Sequence, residues 1–439
     1  MRVVDAENHG CMISLPTPVS TAKTAFEPDQ SRPTYLLRPP SRFFKRLKLN
    51  LFTVPLSSAG KYNSTRLFLG LLFFGNNMKF PEPKQLAKNL QADVLELCQP
   101  SGRMVGSPGH TDAEQLLLRR LSEVGCQPYA NDSYELPYVA EGFDEAGELC
   151  DHQFLNLVGV VPGANRDLPP ILVGAHYDSV IAAPCADDNG AAVAITLAIA
   201  EAAATSGGLA RDLIVAIFDA EEPPYFCTPS MGSIRFYEDQ LDQRGVQFAL
   251  IFDLVGHDVT FPAEYLPILS EMLGPIGSQA AQAMIKNFLF VMGSESHIEL
   301  PRIAARASES NSITMLATLN EYVGDMSDHG VFRQNRIPYL FLSCGRWEHY
   351  HRPTDTPEKL NYDKMALISQ LAATILEDTS KITLSGTSVG DHSLEFEIQT
   401  LKQALGLALP MIQQHLGMET LETRADIKKI VDAVTTLGL

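Results

Sequence analysis

Imidazole and carboxylate side chains recur just beyond the apolar runs of this 439-residue chain. His176-Tyr177-Asp178 follows the run from Ile171 to Ala175, and Asp188 lies in the stretch Ala186-Asp187-Asp188-Asn189-Gly190. Asp219-Ala220-Glu221-Glu222 follows Leu213 to Phe218, Asp253 follows Phe248 to Phe252, and His349-Tyr350-His351 stands beyond Pro338 to Leu342. Taken singly each is ordinary: an H-x-D is usually a satisfied surface pair, and two glutamates after a strand are usually a solvated turn. Five segments converging on one rim would instead gather uncompensated negative charge, a cost that a divalent cation relieves.

Two histidines and three carboxylates without a thiolate suit zinc or a similar ion. The expectation is two zinc ions per chain. Asp188, in the central loop, reaches both; His176 and Asp253 complete one site, Glu222 and His351 the other. The ions would lie roughly 3.5 Å apart with a water between them. Asp178, two residues past His176 on an extended segment, is placed to accept the imidazole's second N–H. Glu221, beside a ligand but not needed as one, is the natural general base, moving a proton from that water to the leaving amine. Asp219 reads as a solvated or loop-bonding carboxylate with no catalytic role.

The elements that must hold these residues follow from the same runs. Four short apolar or β-branched stretches read as buried strands, and Ala191 to Ala204 as the helix between the first two. Strands alternating with helices imply an α/β fold with a mostly parallel, mixed central sheet and helices on both faces; ligands then bind beyond the carboxyl ends of the strands. Tyr129 to Val139 and Leu155 to Val161 are expected as antiparallel edge strands. Helices are expected over Pro83 to Cys98 and Thr111 to Val124, the second opened by a Thr111–Glu114 capping box.

A hydrophobic content of 45% with 20% charged residues is ordinary for a globular protein, and a formal net charge of −18 argues against a nucleic-acid partner. The charge is uneven: residues 1–77 hold ten Lys/Arg and four Asp/Glu, a net +6 that leaves −24 for the rest. Those residues read as a flexible leader or as lying before the native start, and Met78 opens a clean amphipathic pattern. Leu67 to Gly75 is apolar but too short to span a bilayer, and it lies too far along the chain for a secretory signal, so no membrane partner is expected. Seven cysteines without C-x-x-C spacing suit a reducing compartment, and a cytoplasmic location is the default. The expected organisation is a leader over 1–77, a catalytic domain over 78–385 and a helical extension over 386–439. The extension shows apolar helical periods from Leu394 to Leu416 and from Ile427 to Val434, which pack on the domain or on a second chain.

With these residues in place, the chain resembles the co-catalytic zinc aminopeptidase family that includes bacterial leucyl aminopeptidases, glutamate carboxypeptidase and glutaminyl cyclase. The stretches ILVGAHYDSV, APCADDNGAAVA, IVAIFDAEEPPYF, FDLVGHD and HYHRPTDTP carry the likeness, which runs from about Ser101 to about Met365. The EEPPYF motif looks like that of a bacterial subgroup. The resemblance implies a three-layer α/β sandwich, a metallopeptidase with a peptide or small amide substrate, and a cis peptide directly after the bridging residue. It selects Asp188 over Asp187 as the bridge and His351 over His349, which is the fallback. An aminopeptidase is the leading expectation. A carboxypeptidase or dipeptidase stays open through Arg346 and Tyr350, and a glutaminyl cyclase-like acyltransferase or a non-catalytic descendant stays open as well. Tyr225, Phe226 and Cys227 either line a specificity pocket or pack in the core.

Overall fold

Strands that are apolar along their whole length need cover on both faces, and this chain supplies it. In the computed structural model the described residues are 78–260 and 282–436, apart from short gaps at 131, 144–147, 284, 310–311, 385–390 and 407–408, with scattered positions between 261 and 281. The expected leader, the apolar stretch within it and the 385/386 boundary lie outside the described residues.

The strands are β1 (Gln127–Pro128), β2 (Glu135–Phe143), β3 (Leu149–Val161), β4 (Ile171–His176), β5 (Leu213–Phe218), β6 (Phe248–Phe252), β7 (Phe288–Met292), β8 (Thr314–Thr318) and β9 (Tyr339–Ser343). They form one mixed sheet in the order β1-β3-β5-β4-β6-β9-β7-β8, with β2 also paired to β3. The central four, β5, β4, β6 and β9, are mutually parallel and buried throughout. Their carboxyl ends therefore open on the same side, at the centre of the sheet.

One face is covered by α1 (Pro83–Leu97), α3 (Ala191–Thr205), α4 (Leu300–Glu309) and α6 (Tyr362–Lys381), whose apolar residues share one core with Leu213, Leu250 and Leu342. α2 (Pro108–Glu123) joins the same core. α3 is buried almost all round; its alanines favour the helix and let neighbours approach closely. The opposite face is covered by α5 (His329–Gln334) and the turns around Phe236, which pack on Leu172, Ile214 and Ile251. The fold is thus the expected three-layer α/β sandwich.

Several local expectations are corrected. α2 begins at Pro108 with Ser107 as its cap, the serine oxygen accepting from the His110 N–H, so there is no Thr111–Glu114 capping box. A proline at the first helical position is already set for the helix, and it moved the start forward. β3 is not an edge strand: it begins at Leu149, with β5 on one side and β1 and β2 on the other. β7 and β8 were not anticipated; both are five residues long, too short for periodicity to separate from a helix turn. The extension forms α7 (Leu394–Leu405), α8 (Leu409–His415) and α9 (Arg424–Thr436) instead of one long first helix. α7 packs on β8, where the Ala317 N–H donates to Thr400 Oγ1 (3.1 Å).

Candidate metal centre

Each site residue is delivered by the end of a central strand or by the loop entering α3. His176 is the last residue of β4, Glu221 and Glu222 lie just past β5, and Asp253 is the residue after β6. Asp188 precedes α3, and His351 lies in the loop after β9. Four of these turns pass through the left-handed region at non-glycine residues: Cys185 (φ 43°), Ala220 (φ 53°), Leu254 (φ 53°) and His351 itself (φ 55°). Such backbone is sparsely populated and persists where surrounding structure fixes it, most often at functional sites. The Asp188–Asn189 peptide is cis, as the family resemblance implied.

The structure brings all six side chains together. His176 Nε2 faces Asp188 Oδ1 (3.5 Å), Glu221 Oε2 (3.6 Å) and Asp253 Oδ2 (3.8 Å). His351 Nε2 faces Asp188 Oδ2 (3.2 Å) and Glu222 Oε2 (3.2 Å). Asp188 therefore turns one oxygen to each histidine. Donor atoms with metal-binding spacing form two groups here, His176–Glu221–Asp253 and Asp188–Glu222–His351. On distance alone Glu221 could be a further ligand of the first.

His349 stays out of this cluster; its Nδ1 pairs with Thr354 Oγ1 (2.9 Å). Asp178 lies beneath it. Its Oδ1 faces His176 Nδ1 (3.2 Å), and its two oxygens accept the N–H groups of Glu221 and Glu222 (3.0 Å each). One carboxylate thus orients the first histidine and both glutamates.

Five of the six are almost fully buried, from 0% exposed at His176 to 7% at Asp253, and His351 is partly open. His176 Nε2, Asp188 Oδ2, Glu222 Oε1 and Asp253 Oδ1 have no hydrogen-bond partner. Burial followed by the charge of Asp188 pushes Glu222 up to about 8, and burial with the neighbouring Asp253 and Glu222 holds Glu221 well above its ordinary value despite His176. Burial works to lower His176 and His351, but the carboxylates around them outweigh it; His176 is well raised and His351 reaches about 10. Asp178 moves the other way: burial opposes its charge, but His176 and the two amides outweigh that. A cluster that must bind protons to tolerate itself, with orphaned oxygens and one orphaned imidazole nitrogen turned inward, is chemically matched to divalent cations.

A third group, His110, Glu114 and Asp219, also has ligand spacing. Asp219 is not solvated: it is fully buried and bonds its own loop, as one of the two expectations had it. Its Oδ1 receives His110 Nε2 (2.8 Å) and the Ala220 N–H (2.8 Å), and its Oδ2 the Leu155 N–H (2.8 Å). Its oxygens are spent on the turn that carries Glu221. His110 and Glu114 had no sequence signal beyond their i, i+4 spacing. Tyr225 belongs to an aromatic cluster with Tyr138 and Phe154, the core-packing alternative of the sequence reading. Cys98, Cys126, Cys185 and Cys344 are buried thiols. Among the described residues no helix is long and apolar enough to cross a membrane.

The profile of Peptidase family M28 matches residues 156–376, half of the chain and the part that contains all six residues. Among curated proteins, the uncharacterized protein YfbL of Escherichia coli (strain K12) is 28% identical over 301 residues, 62% of this chain and 89% of that one. Among solved structures, a leucine aminopeptidase precursor from Bacteroides thetaiotaomicron VPI-5482 matches with a TM-score of 0.51 at 13% identity, covering 69% of this chain and 99% of that one. An aminopeptidase from Aneurinibacillus sp. strain AM-1 matches with a TM-score of 0.50 at 16% identity, covering 70% and 97%. At these identities the structural likeness concerns the fold.

Proposed function

Since the chain belongs to peptidase family M28, we propose that it is an aminopeptidase that uses two zinc ions, with a peptide or small amide as substrate. The observation that carries this reading is the division of Asp188, one oxygen toward His176 and the other toward His351. His176, Asp188 and Asp253 would hold one ion, and Asp188, Glu222 and His351 the other. Ions bound there would supply Lewis acidity toward a carbonyl and toward a water.

The chain's own groups do the rest. Glu221 Oε2, turned to the same point as His176 Nε2, accepts a proton from the attacking water. The water oxygen bonds to the carbonyl carbon, the C–N bond breaks, and Glu221 returns the proton to the departing amine nitrogen. Asp178 keeps the Glu221 backbone and the His176 ring in register through the contacts described above.

A dipeptidase or carboxypeptidase reading is favoured by one observation. The Arg346 guanidinium lies 4.9 Å over the Tyr350 ring, which stacks on His351 at 3.8 Å. That tier sets a cation near the site, where a substrate carboxylate could end. The buried thiols suit the reducing compartment proposed from the sequence.

The test is to strip the protein with chelator, restore zinc, and measure release from amino-acid anilides, free dipeptides and N-blocked dipeptides. Zinc-restored cleavage of anilides supports the aminopeptidase; cleavage of N-blocked dipeptides instead moves the assignment to the carboxypeptidase. No restorable hydrolysis on any of them removes the peptidase reading.

A further inference from the structure

Three of the loops that carry the proposed ligands are tied to one another by residues that are not themselves ligands. Asp187, next to Asp188, is fully buried, and its oxygens accept the Gly256 N–H and face His257 Nδ1, each at 2.6 Å. Gly256 and His257 lie three and four residues past Asp253, on the loop after β6. A side chain at position 256 would meet Asp187 Oδ1 at 2.8 Å, so glycine is required for this approach. The His257 ring stacks on Trp347 with centroids 4.5 Å apart and planes 13° from parallel. Trp347 stands four residues before His351. The circuit closes through Asp355, four residues after His351, whose carboxylate accepts the N–H groups of Asp187 (2.9 Å) and Asp188 (3.1 Å).

We propose that Asp187, His257, Trp347 and Asp355 form a closed clasp that sets how tightly this chain holds its ions, by positioning the Asp188, Asp253 and His351 loops against one another. The inference rests on the two-ion reading above and adds to it the residues that pre-form the site. Without ions, no cation draws Asp188, Asp253 and His351 together, and the loops that carry them are free to spread. Charge-assisted hydrogen bonds within a buried ring resist that spreading, so less ordering remains to be done when an ion binds. Trp347 is the link most open to substitution, because it is only partly buried and ties the His351 loop to His257 by a ring stack, although it also touches His349 and the edge of the core.

The clasp is tested on the full chain, stripped of metal, by zinc titration in competition with a chromophoric chelator, with thermal unfolding of the metal-free protein measured in parallel. Trp347→Ala is expected to weaken zinc binding by up to about 10-fold, the low end of the range for groups that contact a ligand directly, because Trp347 acts through His257 and Asp187. Trp347→Phe, which keeps a ring over His257, is expected to restore most of that loss. Trp347→Leu carries the same test with more of the packing retained. Unchanged affinity in Trp347→Ala or Trp347→Leu, with only the unfolding temperature of the metal-free protein lowered, overturns the clasp and leaves the two-ion reading standing. A wild-type chain that takes up no zinc overturns the two-ion reading itself.

Discussion

Two clusters in this molecule are built from the same kinds of side chain and are almost equally buried, yet only one of them leaves several donor atoms without a hydrogen-bond partner. In the His110–Glu114–Asp219 group both Asp219 oxygens are taken by N–H donors, and the histidine faces carboxylates on both sides. In the group around Asp188, four donor atoms lack a hydrogen-bond partner although carboxylates and imidazoles crowd within 4 Å. Residue type and spacing do not separate a strut from a ligand set. Hydrogen-bond satisfaction does, because a buried polar atom left unpaired costs free energy that some missing partner must offset.

That contrast can be broken experimentally. The largest effect is expected for Asp188→Ala, which removes the carboxylate that faces both His176 and His351: metal analysis should find the ions lost and peptidase turnover at background. A variant that keeps two ions would show that Asp188 does not bridge. Glu221→Gln is expected to keep its metal while kcat falls roughly 10²–10⁴-fold, the usual contribution of positioned proton transfer. Empty sites in that variant would turn Glu221 into a ligand, which its distance to His176 allows.

Asp219→Ala sharpens the other side of the comparison. It leaves His110 Nε2 and two amides unpaired, at a cost of roughly 3–5 kcal/mol, so the urea midpoint should fall while zinc stoichiometry stays unchanged. Loss of an ion instead would make this third group a metal site. Zinc uptake near pH 7 should release protons, because Glu222 at about 8 and His351 at about 10 are largely protonated there in the absence of an ion. Calorimetry in buffers of different ionisation enthalpy reads this directly, and heat independent of buffer would contradict the proton-loaded cluster.

The smallest effect concerns His110. Burial works to lower its proton affinity, but the bond to Asp219 and the charges of Asp219, Glu114 and Asp178 raise it above the ordinary value. A histidine whose folded-state pKa is raised contributes stability that is fully present below its unfolded value of about 6.5 and is lost as pH rises through the folded value. His110→Gln should therefore cost more stability at pH 6 than at pH 9, as measured by urea unfolding. Equal costs at both pH values would mean that His110 gains no proton affinity on folding.

Much of this was legible before any coordinates. The ends of β4, β5 and β6 announced themselves because fully apolar runs stopped abruptly at His176, Asp219 and Asp253, and a buried parallel strand has few other ways to read. Glu221 and Glu222 followed from position along the chain, whereas the choice of Asp188 over Asp187 and of His351 over His349 rested on the family resemblance. The contacts that stayed hidden join segments distant in sequence. His110 meets Asp219 across 109 residues and Asp355 meets Asp187 across 168, and neither has a local period or motif that announces it.

The sequence by itself determined which side chains stand at the rim of the sheet, since hydrophobic patterning fixes where strands end, and the polar residues directly past those ends are then held at the rim. Only the tertiary structure decided which of those side chains are satisfied and which are left facing one another. Satisfaction depends on hydrogen-bond partners brought in by other segments, and a one-dimensional pattern contains no distances between them.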